Sequence, residues 1–245
     1  MDKPALVSLT FDDGLRCQFE RAVPILDRYG FPATFFLVAN TDPIFTDGFA
    51  ERRGFNWRKI AWNEDDIQLL KGMVKCGHEI GSHTVSHKKQ FIIANPALEA
   101  AESKRLIEQK METEIPSFAY PFYGTIQQLK QPAIDAGYQQ ARTGTQRSHY
   151  GSTDSVDWFA VDCREIKRTG ESVSEWVKPG SWHVLTFHGI GDDQDGWQPV
   201  TEPEFARQMT ELAKLRDSGT VEVVTFKDGA ARLRRLAVNQ ERVRS

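Results

Sequence analysis

The chain has 245 residues, of which 40% are apolar, 27% charged and 11% aromatic. That is the make-up of a globular domain long enough to bury a core without staples. Thirty-one Lys and Arg against 34 Asp and Glu leave a net charge of −3, so no surplus of cations is available to neutralise phosphates, which argues against nucleic acid or an anionic membrane as partner. No stretch approaches the ~20 continuous apolar residues of a membrane span. Cys17, Cys76 and Cys163 are too few and scattered for a disulfide framework and lack the spacing of a structural zinc site.

In chain order, the opening residues Met1 to Phe11 show no apolar leader followed by a small-residue cleavage site. The expectation is therefore a protein that stays in the cytoplasm, or an exported one whose leader has been removed. Ala5 to Phe11 reads as a first strand. A helix follows over Arg21 to Tyr29, closed by Gly30 as C-cap, and then a doubly buried strand over Ala33 to Val38. Asn40 to Asn63 is turn-rich and aromatic, an insertion near a functional rim. Asn63 caps a helix whose third position is Asp66 and which runs to Gly77. His78 to Ser82 reads as a strand, Pro96 to Met111 as a helix, Ser117 to Tyr120 as a strand and Gln127 to Ala136 as a helix despite Pro132. Tyr138 to Arg142, Trp158 to Cys163, His183 to Phe187 and Val221 to Val224 read as further strands. Glu202 to Leu215 and Lys227 to Leu236 read as helices, and the tail to Ser245 is charged. Strands alternating with helices imply parallel pairing and a barrel-like sheet of about seven strands in one domain, with chemistry at the C-terminal strand ends.

Those ends hold a short list of ionisable groups. The first strand ends Thr10-Phe11-Asp12-Asp13-Gly14. Adjacent carboxylates repel unless a cation lies beside them, although an Asp-Gly turn with capping side chains also explains the pair. His83 and His87, four apart, reach one ion from a helical turn or a tight loop; surface or core histidines are the alternative. Two His and one carboxylate from different strands leave coordination positions open, as a catalytic divalent ion requires. His188 follows Val184-Leu185-Thr186-Phe187 and reads either as a core histidine or as a general acid. His78 and His183 read as structural. The insertion aromatics Phe45, Phe49, Phe55, Trp57 and Trp62, with Trp197, read as sugar-stacking surfaces or as a cluster sealing the loop.

Thr10-Phe11-Asp12-Asp13-Gly14 followed by Gly77-His78-Glu79-Ile80-Gly81-Ser82-His83-Thr84-Val85-Ser86-His87 resembles the first two motifs of the polysaccharide deacetylases, carbohydrate esterase family four with the NodB-homology fold. Tyr120-Pro121-Phe122-Tyr123-Gly124 and the His188 segment resemble later motifs. The resemblance implies a distorted (β/α) barrel, with residues 1–245 as one catalytic domain, and a single divalent metal ion, zinc first, with cobalt or nickel as alternatives. By position, Asp13, His83 and His87 resemble the metal ligands, Asp12 the general base and His188 the general acid. Pro121 and the backbone N–H near Tyr123 are placed at the substrate and oxyanion. Asp157-Trp158 matches in letters the pair that orients the acid and lines the acetyl pocket, with Asp162 as competitor. The Arg that pairs with the base in many members is missing before Pro121, and Arg142 or Arg164 are the substitutes. The implied activity is metal-dependent hydrolysis of acetyl groups from a carbohydrate, N-acetyl of an amino sugar ahead of O-acetyl of acetylxylan. A cyclic amide or ureide hydrolase and an inactive sugar-binding relative are the rivals.

Overall fold

The computed structural model describes residues 3–45, 48–122, 124–144, 156–167 and 172–244. The chain begins with β1 (Ala5–Phe11), a single π-helical turn (Gln18–Ala22), α1 (Val23–Tyr29) and β2 (Ala33–Leu37). The insertion folds as a short hairpin, β3 (Ile44–Phe45) and β4 (Trp57–Arg58), around α2 (Gly48–Arg53). There follow α3 (Glu64–Lys75), β5 (Glu79–Ser82), α4 (Lys89–Ala94), α5 (Pro96–Met111), β6 (Ser117–Ala119), α6 (Ile126–Asp135) and β7 (Gln140–Arg142). The chain closes with β8 (Arg164–Glu165), β9 (Trp182–Phe187), α7 (Glu202–Asp217), β10 (Val221–Val223) and α8 (Phe226–Arg244).

The main sheet is parallel, in the order β7-β6-β5-β2-β1-β9-β8, with β10 paired to the start of β1. It curls until its edges meet. Val161 N donates to Ala141 O at 3.0 Å and Thr143 N to Val161 O at 2.8 Å, so the segment leading into β8 lies along β7. This is the expected distorted (β/α) barrel. β1 sits at its centre with Val7, Leu9 and Phe11 fully buried. Phe11 stacks on Phe35 at 4.8 Å and on Phe187 at 5.3 Å, and Phe187 meets Phe205 of α7 edge-on. Each such ring contributes about 1.5–3 kcal/mol by leaving water. Gly81 in β5 is fixed by a close approach, since a Cβ there would lie 2.5 Å from the Phe36 ring.

Local signals behave as their chemistry dictates. Gly30 closes α1 at φ 63°, and the Asn63 side chain accepts from Asp66 N at 2.9 Å to start α3. The strand expected over Trp158 to Cys163 is displaced. Asp157 Oδ1 accepts from Phe159 N and Asp157 O from Ala160 N, which makes a turn there; Trp158 O and Val161 still bond β7, and the pairing with β9 is made by Arg164–Glu165. Among the described residues, no helix is long and apolar enough to cross a membrane.

Candidate active site

Every strand of the sheet runs toward the same rim, and the polar residues gather just beyond it. β1 delivers Asp12 in line with the strand, and Asp13 turns away in left-handed backbone at φ 75°, followed by Gly14 at φ 71°. That reversal brings both carboxylates into one cleft, because an extended chain would have sent them to opposite faces. Beyond β5, Thr84 and His87 also adopt positive φ, 70° and 53°. The Thr84 hydroxyl accepts from His87 N at 3.1 Å. The loop is held from below by Glu99 of α5, whose carboxylate accepts from Val85 N at 2.9 Å, Ser86 N at 3.0 Å and the Ser86 hydroxyl at 2.6 Å. The tight loop, not a helical turn, therefore brings His83 and His87 together. Strained non-glycine backbone of this kind costs about 1–3 kcal/mol per residue and persists where surroundings enforce it.

The donor atoms converge. His83 Nε2 lies 3.5 Å and His87 Nε2 3.6 Å from Asp13 Oδ1, and one ligand atom from each of the three buried residues lies within 4.8 Å of the others. His83 Nδ1 bonds Ala119 O at 2.9 Å, which turns Nε2 inward to the two carboxylates; burial alone would lower this imidazole, but Asp12 and the bond to Asp13 raise it. Burial opposes ionisation of Asp13, but the His83 bond and the surrounding imidazoles outweigh it and hold its carboxyl down at about 2. Burial pushes His87 down to about 3, so its imidazole is neutral near pH 7. An ionised carboxylate and two imidazole nitrogens at this spacing suit a small divalent ion that displaces any proton on His83, since bonds of about 2.0–2.1 Å in a tetrahedral site put donors about 3.4 Å apart.

Asp12 stands beside this trio, its Oδ2 3.9 Å from His83 Nε2 and 3.7 Å from His188 Nε2. Arg142, fully buried at the end of β7, donates from one guanidinium nitrogen to both Asp12 oxygens at 2.5 Å and lies over the Phe36 ring at 5.1 Å. Of the two arginines considered as partners for Asp12, Arg142 occupies the place, and Arg164 stacks on Trp176 instead. Gln18, in the π-helical turn, ties the two strand ends together by donating to Asp12 O and His188 O at 2.5 and 3.0 Å. His188 stands at the cleft's edge with its Nδ1 3.7 Å from Glu165 Oε1, and the same oxygen accepts from Trp197 Nε1 at 3.1 Å.

Asp157 and Trp158 are not brought here. Asp157 is exposed and pairs with Lys130, and Trp158 lies under the Arg234 guanidinium at 4.4 Å, because the turn over 157–160 carries both away from the rim. Asp162 likewise does not line the cleft. The carboxylate facing His188 Nδ1 is Glu165, which no pattern in the sequence points to. Pro121 is buried between the lining residues Tyr120 and Phe122, its carbonyl accepting from the Thr125 hydroxyl at 2.6 Å. Tyr123 lies outside the described residues. His78 and His183 are structural: His78 bonds Asp27 and Ala33 N, and His183 bonds Ser181.

The open cleft measures about 720 Å³, and besides the acidic and imidazole groups its lining includes Phe49, Tyr120, Phe122 and Trp197. The insertion aromatics divide. Phe45, Trp57 and Trp62 are buried and seal the loop, whereas Phe49 meets Trp197 edge-on at 4.6 Å on the cleft wall.

A family profile for polysaccharide deacetylase matches residues 2–141. YxkH of Bacillus subtilis (strain 168) is 26% identical over 139 residues, 56% of this chain and 44% of that one, so this chain spans less than half of that relative's length. The chitooligosaccharide deacetylase of Sinorhizobium fredii (strain NBRC 101917 / NGR234) is 26% identical over 193 residues, 77% of this chain and 74% of that one. Among solved structures, the family 4 acetyl xylan esterase of Clostridium thermocellum in complex with a cobalt ion superposes with a TM-score of 0.55 at 21% identity, covering 91% of this chain and 89% of that one. At that identity the likeness speaks for the fold.

Proposed function

Because the chain belongs to the polysaccharide deacetylase family, we propose that it is a metal-dependent hydrolase that removes acetyl groups, N-acetyl of an amino sugar first, from a poly- or oligosaccharide, with residues 1–245 acting as one catalytic unit. The observation that carries the reading is the meeting of Asp13, His83 and His87 within 4.8 Å directly beside Asp12 and His188. Asp13, His83 and His87 would hold one divalent ion, zinc first, with cobalt or nickel able to replace it. Such an ion lowers the pKa of water and polarises the acetyl carbonyl.

The chain's own groups perform the proton work. Asp12, its carboxylate fixed by Arg142, accepts a proton from the water as its oxygen bonds to the carbonyl carbon. His188 stands 3.7 Å from Asp12 on the cleft's outer side and gives a proton to the departing nitrogen as the C–N bond breaks. An amine is a poor leaving group as an anion, so this step needs an acid. Pro121 and the backbone near Tyr123 remain the assigned oxyanion and substrate segment. Asp157 and Trp158 have no part in this reading, and Glu165 takes the place opposite His188.

The likeness to an acetyl xylan esterase supports a second reading, O-acetyl removal by the same groups. Acetate release from acetylated chitooligosaccharides and from acetylxylan, measured side by side on protein stripped by a chelator and then reloaded with zinc, tests both. We expect no release from stripped protein, restoration with the ion, and a higher rate on the amino sugar. Activity confined to xylan would replace the first reading with the second, and full activity after stripping would remove the metal from both.

A further inference from the structure

The cleft's charges are arranged in two layers. Asp12 and Asp13 lie at its floor, while its exposed mouth is lined by Arg52 of α2 and by Lys88 and Lys89 at the start of α4, with Glu51 as the acidic side chain beside them. None of the three cations forms an ion pair among the described residues. This is a chain with more carboxylates than cations, yet three cations and a single carboxylate, Glu51, line this mouth. An acetamide or acetyl ester is uncharged and gives ammonium and guanidinium groups nothing to neutralise. The cations at the mouth therefore face some other part of whatever enters.

We propose that the saccharide is acidic: a sugar unit bearing a carboxylate, next to the acetylated unit, meets Arg52 and Lys89 while Phe49 and Trp197, edge to face on the cleft wall, give its apolar side a surface to pack on. This deepens the deacetylase reading and rests on it for the position of the acetyl group. A guanidinium suits a carboxylate by its two-pronged geometry, and an ammonium adds a mobile point charge. Such exposed contacts are each modest and are weakened by salt.

The test uses a matched set of acetylated oligosaccharides, neutral, carboxylated and phosphorylated, with the zinc-loaded wild type and the double variant Arg52→Gln/Lys89→Gln. Lys88 is left intact because it adjoins His87. We expect the wild type to favour the carboxylated member through a lower KM, and the double variant to lose about tenfold more kcat/KM on it than on the neutral one, again in KM. Raising salt from about 0.01 M to about 1 M, which shortens the screening length from about 30 to about 3 Å, should erase the preference. Equal KM for neutral and carboxylated members, or a preference untouched by the double variant, overturns the proposal, as does a stronger preference for phosphate. Calorimetric binding of the same three probes to Asp12→Asn protein separates this result from the parent reading. Salt-sensitive binding of the carboxylated probe upholds the anionic subsite even if none of the three releases acetate, and equal binding of neutral and carboxylated probes overturns it.

Discussion

At the N-terminal end of the sheet, Glu79 is buried among donors that all point at it. The Thr34 and Ser117 hydroxyls and Lys227 N donate to it at 2.8, 2.5 and 3.0 Å, so one carboxylate pins β2, β5, β6 and the start of α8. At the C-terminal end, Asp12 and Asp13 are equally buried, but Asp13 looks across 3.5–3.6 Å at two imidazole nitrogens, and Asp12 is held on one side by Arg142 and faces the cleft on the other. The first arrangement is closed: each group is satisfied and nothing can be added. The second is open, with its backbone bent into left-handed conformations at Asp13, Thr84, His87 and Phe122. Buried carboxyl groups in one chain are thus closed into a rivet at one end and left facing an open cleft at the other, and the surroundings decide which.

If that contrast is right, substitutions at the two ends should fail in different ways. His83→Ala should have the largest effect, losing both bound metal and turnover while the chain stays folded; metal content by mass spectrometry beside acetate release would show it, and a variant that kept stoichiometric metal would break the assignment. Asp12→Asn should keep the metal and lower kcat by about 10²–10⁴, the range of a general base. Near-normal rates would mean that another group takes the proton.

Glu79→Ala should do the reverse. It leaves buried donors without an acceptor and should cost about 3 kcal/mol in urea unfolding, with kcat of the folded protein unchanged. Burial pushes the Glu79 carboxyl above its ordinary 4.5, so the folded chain keeps a proton that the unfolded chain has released. Its contribution to stability therefore falls as pH rises from about 4.5 through the raised value, and the variant should flatten that part of the stability curve. A loss of kcat without a loss of stability would erase the distinction between the two ends.

Much of this was readable from the chain. The alternation of strands and helices, Gly30, Asn63 and the strand-end positions of Asp12, Asp13, His83, His87 and His188 follow from periodicity and local chemistry. What the sequence hid depends on pairing between distant segments. Arg142 could be named as a partner for Asp12 only as one of two, because nothing in the text says that β7 ends across the barrel from β1. Glu165 lies on a two-residue strand too short to show a period, and the letters Asp157-Trp158 belong to a turn that faces Lys130. Glu99 left a faint signal, a carboxylate on the same helix face as Ser103 and Ile107, both buried. An acid on an apolar face has a job, but which loop it holds needs the fold.

The smallest predicted effect sharpens the comparison inside the open end. Glu165 is nearly buried, and its Oε1 both accepts from Trp197 and lies 3.7 Å from His188 Nδ1. Glu165→Gln preserves size and an acceptor for the indole but removes the charge opposite the imidazole. Two charges at about 4 Å in a partly wet site attract by about 4 kcal/mol, and Lys167, 3.2 Å from the other oxygen, offsets part of that. We therefore expect kcat to fall about tenfold, with KM for a neutral acetylated oligosaccharide and the urea midpoint unchanged. Asp157→Asn breaks only an exposed pair with Lys130 and should leave kcat within about twofold. Steady-state kinetics on the two variants decides between the carboxylate that the sequence motif offered and the one that the fold delivers: if Asp157→Asn carries the loss and Glu165→Gln does not, His188 takes its support from the segment that the turn over 157–160 carries away.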